Sequence, residues 1–209
     1  MLKSLLTVLL IVFSLNAVSQ SQNILIVGDS LSAGYGMAKE KSWPSLLQKK
    51  LDKQNYDYKV HNASISGQTS AEGLRQIQQL LKLSKPKLVI IELGANDGLR
   101  GLSITQMQSN LQTMISKSLM AKSQVLLLGI KLPNNYGRRY GKMFSDSFSV
   151  LAKQNGIHLV PFMLKPLEDK VTAENRGEYI QADGLHPTAS AQPLILEHVW
   201  PNILKLLKS

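Results

Sequence analysis

The feature that most constrains the fold is an alternation of short apolar runs with longer amphipathic stretches along nearly the whole chain. Asn23-Ile24-Leu25-Ile26-Val27-Gly28 is continuous, β-branched and closed by glycine, the composition of a strand buried on both faces. A helix is expected from Trp43 to Asn55, then a weaker strand from Tyr58 to Asn62. Ser70 to Leu83 places Leu74, Ile77, Leu80 and Leu81 on one helical face. Lys87 to Leu93 predicts a third strand, Ile104 to Met120 a helix and Gln124 to Ile130 a fourth strand. Lys142 to Gln154 predicts a helix, Ile157 to Val160 a short fifth strand, and Ala191 to Leu207 a closing helix broken or kinked at Pro201. Such alternation implies three α/β/α layers around a doubly wound, mostly parallel five-stranded sheet. Functional residues in such sheets follow the carboxyl ends of strands.

Residues 1–19 stand outside this pattern. Lys3 is followed by an apolar run from Leu5 to Leu15 and then by the small residues Ala17-Val18-Ser19. That is the order of a secretory signal, and the run is short for a membrane span. The expectation is cleavage near Ser19, one folded domain over residues 20–209, and a periplasmic or secreted location. The chain has no cysteine, which removes disulfides, thiolate nucleophiles and thiolate metal ligands together. The net charge of +10 is carried by scattered lysines and arginines, without the basic block or interleaved aromatics of a nucleic-acid face. It reads as a solvated surface that would favour transient contact with anionic lipid. No repeat or linker suggests a second domain, and a monomer is expected.

Gly28-Asp29-Ser30-Leu31-Ser32 follows the first strand directly. Ser30 has two readings: a helix N-cap, or a nucleophile at a helix N-terminus whose backbone N–H groups favour developing negative charge. Position alone favours the cap, and a serine nucleophile needs a base. Asp183-Gly184-Leu185-His186-Pro187 offers one, since Pro187 keeps His186 out of a helix and a turn brings a carboxylate to an imidazole three residues on. His61, His158 and His198 lack such a partner and read as structural. Gly67 and Asn96, each just past a strand, are candidate oxyanion donors through a backbone N–H and a side-chain amide; each is also an ordinary turn residue. Asp29 and Asp97 read as caps or turn braces, Glu92 as a satisfied buried carboxylate, and Trp43 and Trp200 as packing anchors. No residue cluster has metal-ligand spacing, and no cofactor is expected.

Taken in order, Gly-Asp-Ser-Leu-Ser at 28–32, Gly67, Gly-Ala-Asn-Asp at 94–97 and Asp-Gly-Leu-His at 183–186 resemble the four sequence blocks of the SGNH (GDSL) hydrolases. Asn62 to Gly67, Glu92 to Gly101 and Leu132 to Tyr140 narrow the resemblance to its bacterial thioesterase and lysophospholipase branch. It spans Asn23 to Leu207 and is thinnest from Met163 to Gln181. It implies a flavodoxin-like sheet, Ser30 as nucleophile, His186 as base, Asp183 as its orienter, and an oxyanion hole of Ser30, Gly67 and Asn96.

The expected activity is therefore hydrolysis of single-chain acyl esters and thioesters. A carbohydrate or aryl acetylesterase on the same scaffold, and a non-catalytic periplasmic binding protein, are the alternatives. The fourth strand should deliver Leu132 and Pro133 to the acyl-binding crevice, joined by Leu99, Leu102 and Ile104 from the segment after Asn96. Arg100, Arg138 and Arg139 lie near enough in sequence to meet a phosphate.

Overall fold

A computed structural model describes residues 22–208. The signal-like segment, residues 1–19, lies outside the described residues. The five strands are β1 (Gln22–Gly28), β2 (Tyr58–Asn62), β3 (Leu88–Glu92), β4 (Gln124–Leu128) and β5 (His158–Val160). They form one all-parallel sheet in the order β2-β1-β3-β4-β5. The register pairs Ile26 with Asn62 and Gly28 with Glu92, so the ends of β1, β2 and β3 lie side by side.

Alternate side chains of β1, β3 and β4 feed two cores. Ile24, Ile26, Leu88, Ile90, Leu126 and Leu128 face α2 (Trp43–Lys53) and α9 (Gln192–Leu207) through Leu47, Leu51, Ile195 and Val199. Leu25, Val27, Val89, Ile91, Val125 and Leu127 face α3 (Ser70–Ser84), α5 (Ile104–Met120) and α6 (Arg138–Asn155) through Ile77, Met107, Leu111 and Phe148. Burial on both faces explains why β1, β3 and β4 read as continuous apolar runs, whereas the edge strand β2 alternates, with Lys59 and His61 exposed. Four short helices complete the set: α1 (Ser30–Ala33), α4 (Ala95–Leu99), α7 (Lys165–Lys170) and α8 (Arg176–Tyr179).

The expected elements are present, with three differences. Helix α6 begins at Arg138, four residues before Lys142. Its first turn, Arg138-Arg139-Tyr140-Gly141, has no apolar spacing to signal a helix; the buried stripe starts only at Phe144. Helix α9 is not broken: it runs through Pro201 to Leu207 as one element. Proline removes a single N–H, and Trp200 and Ile203, buried on either side of it, anchor both halves. Finally, α7 and α8 fall in the stretch from Met163 to Gln181, where no element was expected. No helix among the described residues is long and apolar enough to cross a membrane.

Candidate active site

Ser30, Asn96 and the Asp183–His186 turn all lie beyond the carboxyl ends of the strands. The turn after β1 is built tightly. Asp29, not Ser30, is the cap of α1: its Oδ1 accepts the Leu31 N–H at 3.1 Å, and Ser30 is the first helical residue. The Ser30 hydroxyl is therefore not spent on capping. Gly28 is required by close approach, since a Cβ there would stand 2.7 Å from Glu92 Oε2 and 3.0 Å from the Ser32 side chain.

The second half of the site comes from the far end of the chain. Gly184, at φ +73°, lets the backbone double back so that Asp183 Oδ1 accepts the N–H groups of Leu185 (2.9 Å) and His186 (3.0 Å). Asp183 Oδ2 accepts from His186 Nδ1 at 2.6 Å. These donors hold the Asp183 carboxyl down at about 2, the two backbone hydrogen bonds contributing most. An ionised carboxylate only accepts, so Nδ1 carries the imidazole proton and Nε2 is left bare. Nε2 lies 2.8 Å from Ser30 Oγ and accepts its O–H. Two further ties hold the imidazole. Tyr35 packs its ring against that of His186, centroids 4.4 Å apart. The Gln181 N–H donates to the His186 carbonyl, and its side chain bonds the Tyr35 carbonyl.

Asn96 sits in the first turn of α4. Its Nδ2 donates to Asp29 Oδ2 and to the Gln68 carbonyl, each at 3.2 Å. The amide is thus aimed into the site but held by long hydrogen bonds. Gly67 turns the chain after β2, and Arg100 donates to its carbonyl at 2.8 Å. Asp97 braces as expected, accepting the N–H (2.8 Å) and hydroxyl (2.6 Å) of Ser70 and so locking α4 to α3.

Two buried carboxyls lie beneath the serine. Desolvation pushes Asp29 up to about 6, against the pull of the Leu31 N–H, the imidazole and Asn96. Glu92, fully buried, is pushed well above the carboxylate range, first by desolvation and then by the Asp29 charge. Its Oε2 accepts from Ser32 Oγ (2.7 Å) and the Asp29 N–H (3.3 Å), while Oε1 has no partner. Glu92 is therefore only half satisfied, a departure from the sequence expectation.

A cavity of about 620 Å³ opens from Ser30 and His186. Leu132 and Pro133 line it, with Leu99, Ile130 and Phe162. Leu102 and Ile104 do not line it: Leu102 is exposed to solvent, and Ile104 packs on the core beneath α5. Nor do Arg138 and Arg139; the arginine on its wall is Arg176. The far wall is Leu164, Leu167, Val171 and Ile180, from the segment where no role was expected. Their spacing of three and four residues from Leu164 to Val171 was a usable helical signal. Tyr35 had no comparable signal, because its stacking joins residues 151 positions apart in sequence. Among the described residues no group of three or more His, Asp or Glu side chains could hold a metal ion.

A sequence model of the GDSL-like lipase/acylhydrolase family matches residues 26–192. The esterase TesA of Pseudomonas aeruginosa is 48% identical over 187 residues, 90% of each chain. The thioesterase 1/protease 1/lysophospholipase L1 of Escherichia coli is 42% identical over 177 residues, 85% of this chain and 81% of the relative. Among solved structures, the psychrotrophic esterase EstA of Pseudoalteromonas sp., inhibited by monoethylphosphonate, superposes with a TM-score of 0.82 at 42% identity, over 90% of this chain and 100% of that one. The five-stranded sheet, the ordered sequence blocks and these matches lead to one conclusion: the chain belongs to the GDSL-like lipase/acylhydrolase family of hydrolases.

Proposed function

We propose that this protein hydrolyses esters and thioesters of single acyl chains through an acyl-enzyme on Ser30. The observation that carries this reading is an apolar cavity that ends at a serine already hydrogen-bonded to an oriented imidazole. Ser30 Oγ attacks the acyl carbonyl while its proton passes to His186 Nε2. The imidazolium is stabilised by the Asp183 carboxylate at Nδ1. Negative charge on the carbonyl oxygen is met by the Ser30 and Gly67 N–H groups and by Asn96, which turns one N–H from its long bonds to Asp29 and Gln68. The carbonyl re-forms, the bond to the leaving oxygen or sulfur breaks, and His186 returns the proton to that group. Water then gives a proton to His186 and its hydroxide to the acyl carbon; collapse releases the acid and restores the Ser30 hydroxyl.

Chain-length preference follows from the wall. Each methylene buried along Leu99, Leu132, Leu167 and Val171 contributes roughly 0.8 kcal/mol, so longer chains gain until the cavity is full. Arg176, exposed at its edge, is available to an anionic head group. The names of the relatives agree with both ester and thioester substrates. Lys3, the apolar run and Ala17-Val18-Ser19 support export and cleavage near Ser19, where lysophospholipid-like esters are the accessible substrates; intact Met1 in the mature protein would contradict this.

The test is a series of p-nitrophenyl esters and matched thioesters from two to sixteen carbons. kcat/KM should rise with length and then level off or fall. A clear preference for acetate over every longer chain would favour an acetylesterase instead.

A further inference from the structure

Glu92 is conspicuous because nothing in the hydrolytic steps uses it. It is a fully buried acid at the end of a central strand, beneath the nucleophile turn, with one oxygen unpartnered. We propose that Glu92 is a positioning residue of the hydrolytic site: its Oε2 clamps Asp29 and Ser32, which bracket the nucleophile, and so holds Ser30 Oγ against His186 and Asp29 against Asn96. The proposal rests on the reading of Ser30 as nucleophile.

The clamp is specific in geometry. Glu92 Oε2 receives the Ser32 hydroxyl at 2.7 Å and the Asp29 N–H at 3.3 Å. Ser32 Oγ in turn accepts the indole N–H of Trp43 at 3.2 Å, which ties the clamp to α2. The β1–β3 register sets Glu92 directly beside Gly28, and only glycine leaves room there for the carboxyl. The sequence signature that precedes the nucleophile is thus partly a response to Glu92. Without the carboxyl, a buried hydroxyl and a buried N–H would lose their acceptor at the two ends of a four-residue turn.

The clamp works in its protonated form. Two adjacent buried carboxyls do not both ionise readily, and burial raises both; both Asp29 oxygens accept hydrogen bonds, whereas Glu92 leaves Oε1 without a partner. Negative charge therefore resides on Asp29, where it accepts from both the Leu31 N–H and Asn96. The other ionisable groups acting on Asp29 are His186, which favours its charge, and Asp97, which opposes it. Ser32 and Trp43, which complete the surroundings of the clamp, are uncharged.

The test compares Glu92→Gln, which keeps an acceptor without an ionisable proton, with Glu92→Leu, which keeps bulk and removes the acceptor. Active sites are counted by titration with a fluorophosphonate, so misfolded protein does not enter kcat. Glu92→Leu should lose about ten- to a hundredfold in kcat per titrated site with KM nearly unchanged, the scale of a misplaced reacting group. Glu92→Gln should recover kcat to within about threefold and leave the acid limb of the pH–rate profile where it is. Full kcat per titrated site in Glu92→Leu, with only a lower melting temperature, would reduce Glu92 to a stability role and overturn the proposal. A Gln variant as slow as the Leu variant, or with its acid limb moved by a full pH unit or more, would overturn the protonated clamp. Should Glu92→Leu not fold, Ser32→Ala removes the same hydroxyl contact and should lower kcat at constant KM; unchanged kcat would refute the clamp. If the wild type does not react with the fluorophosphonate at Ser30, it is the hydrolase reading that fails.

Discussion

The geometry around Asp183 makes an unusual demand on its substitution by asparagine. Asp183 Oδ1 is pinned by the N–H groups of Leu185 and His186, and Oδ2 faces His186 Nδ1. In Asp183→Asn the amide oxygen keeps the two backbone donors, so the NH₂ must face Nδ1. Nδ1 then accepts, the ring proton moves to Nε2, and an N–H points at Ser30 Oγ where a base is needed. Flipping the amide restores the tautomer but gives up two hydrogen bonds and sets donors against donors, costing about 2 to 4 kcal/mol. That leaves about one molecule in 30 to one in 1000 correctly arranged. Lost stabilisation of the imidazolium adds to this, bringing the total toward about 10⁴ in kcat. Asp183→Ala has no pinned amide, and its imidazole is free to take either tautomer against water. The asparagine variant should therefore be at least as slow as the alanine variant, despite being the closer mimic. The assay is kcat and KM on a p-nitrophenyl ester of medium chain, with circular dichroism to confirm the fold. An asparagine variant that is folded and clearly faster than the alanine variant would refute the pinned-tautomer argument.

Three further outcomes follow from the same site. Asn96→Ala should lower kcat by about a hundredfold or more, the scale of one oxyanion donor, with KM little changed; a loss confined to KM would remove Asn96 from that role. Leu132→Trp fills the cavity beside Ser30 and should shift the optimum in the acyl series to shorter chains; an unchanged optimum would move the acyl chain elsewhere. Activity should survive dialysis against a strong chelator, because the chemistry is assigned to Ser30 and His186; loss that zinc or calcium reverses would contradict this.

How much of this was legible in the sequence depends on the range over which each feature is determined. Strands β1, β3 and β4 were legible because burial on both faces writes itself as an unbroken apolar run, as in Ile24 to Val27. The Asp183–His186 pairing was legible because a turn brings residues three apart together. The start of α6 was not, because its first turn is polar and exposed. The half-satisfied state of Glu92 was not, since its partners Asp29 and Ser32 lie 63 and 60 residues away. The α7–α8 wall carried a helical spacing, but its place beside Ser30 depends on how the chain returns across the sheet edge. Leu102 and Ile104 were misplaced for the converse reason: proximity in sequence to Asn96 does not specify which side of the α4 turn a residue faces.

In the proposed reaction Ser30 forms a covalent acyl intermediate driven by His186. This is tested most directly by reacting the purified protein with a fluorophosphonate and locating the adduct by tryptic mass spectrometry. One equivalent of label is expected on Ser30, with parallel loss of esterase activity and neither label nor turnover in a folded Ser30→Ala variant. Label on another residue, or undiminished hydrolysis by folded Ser30→Ala protein, would contradict it.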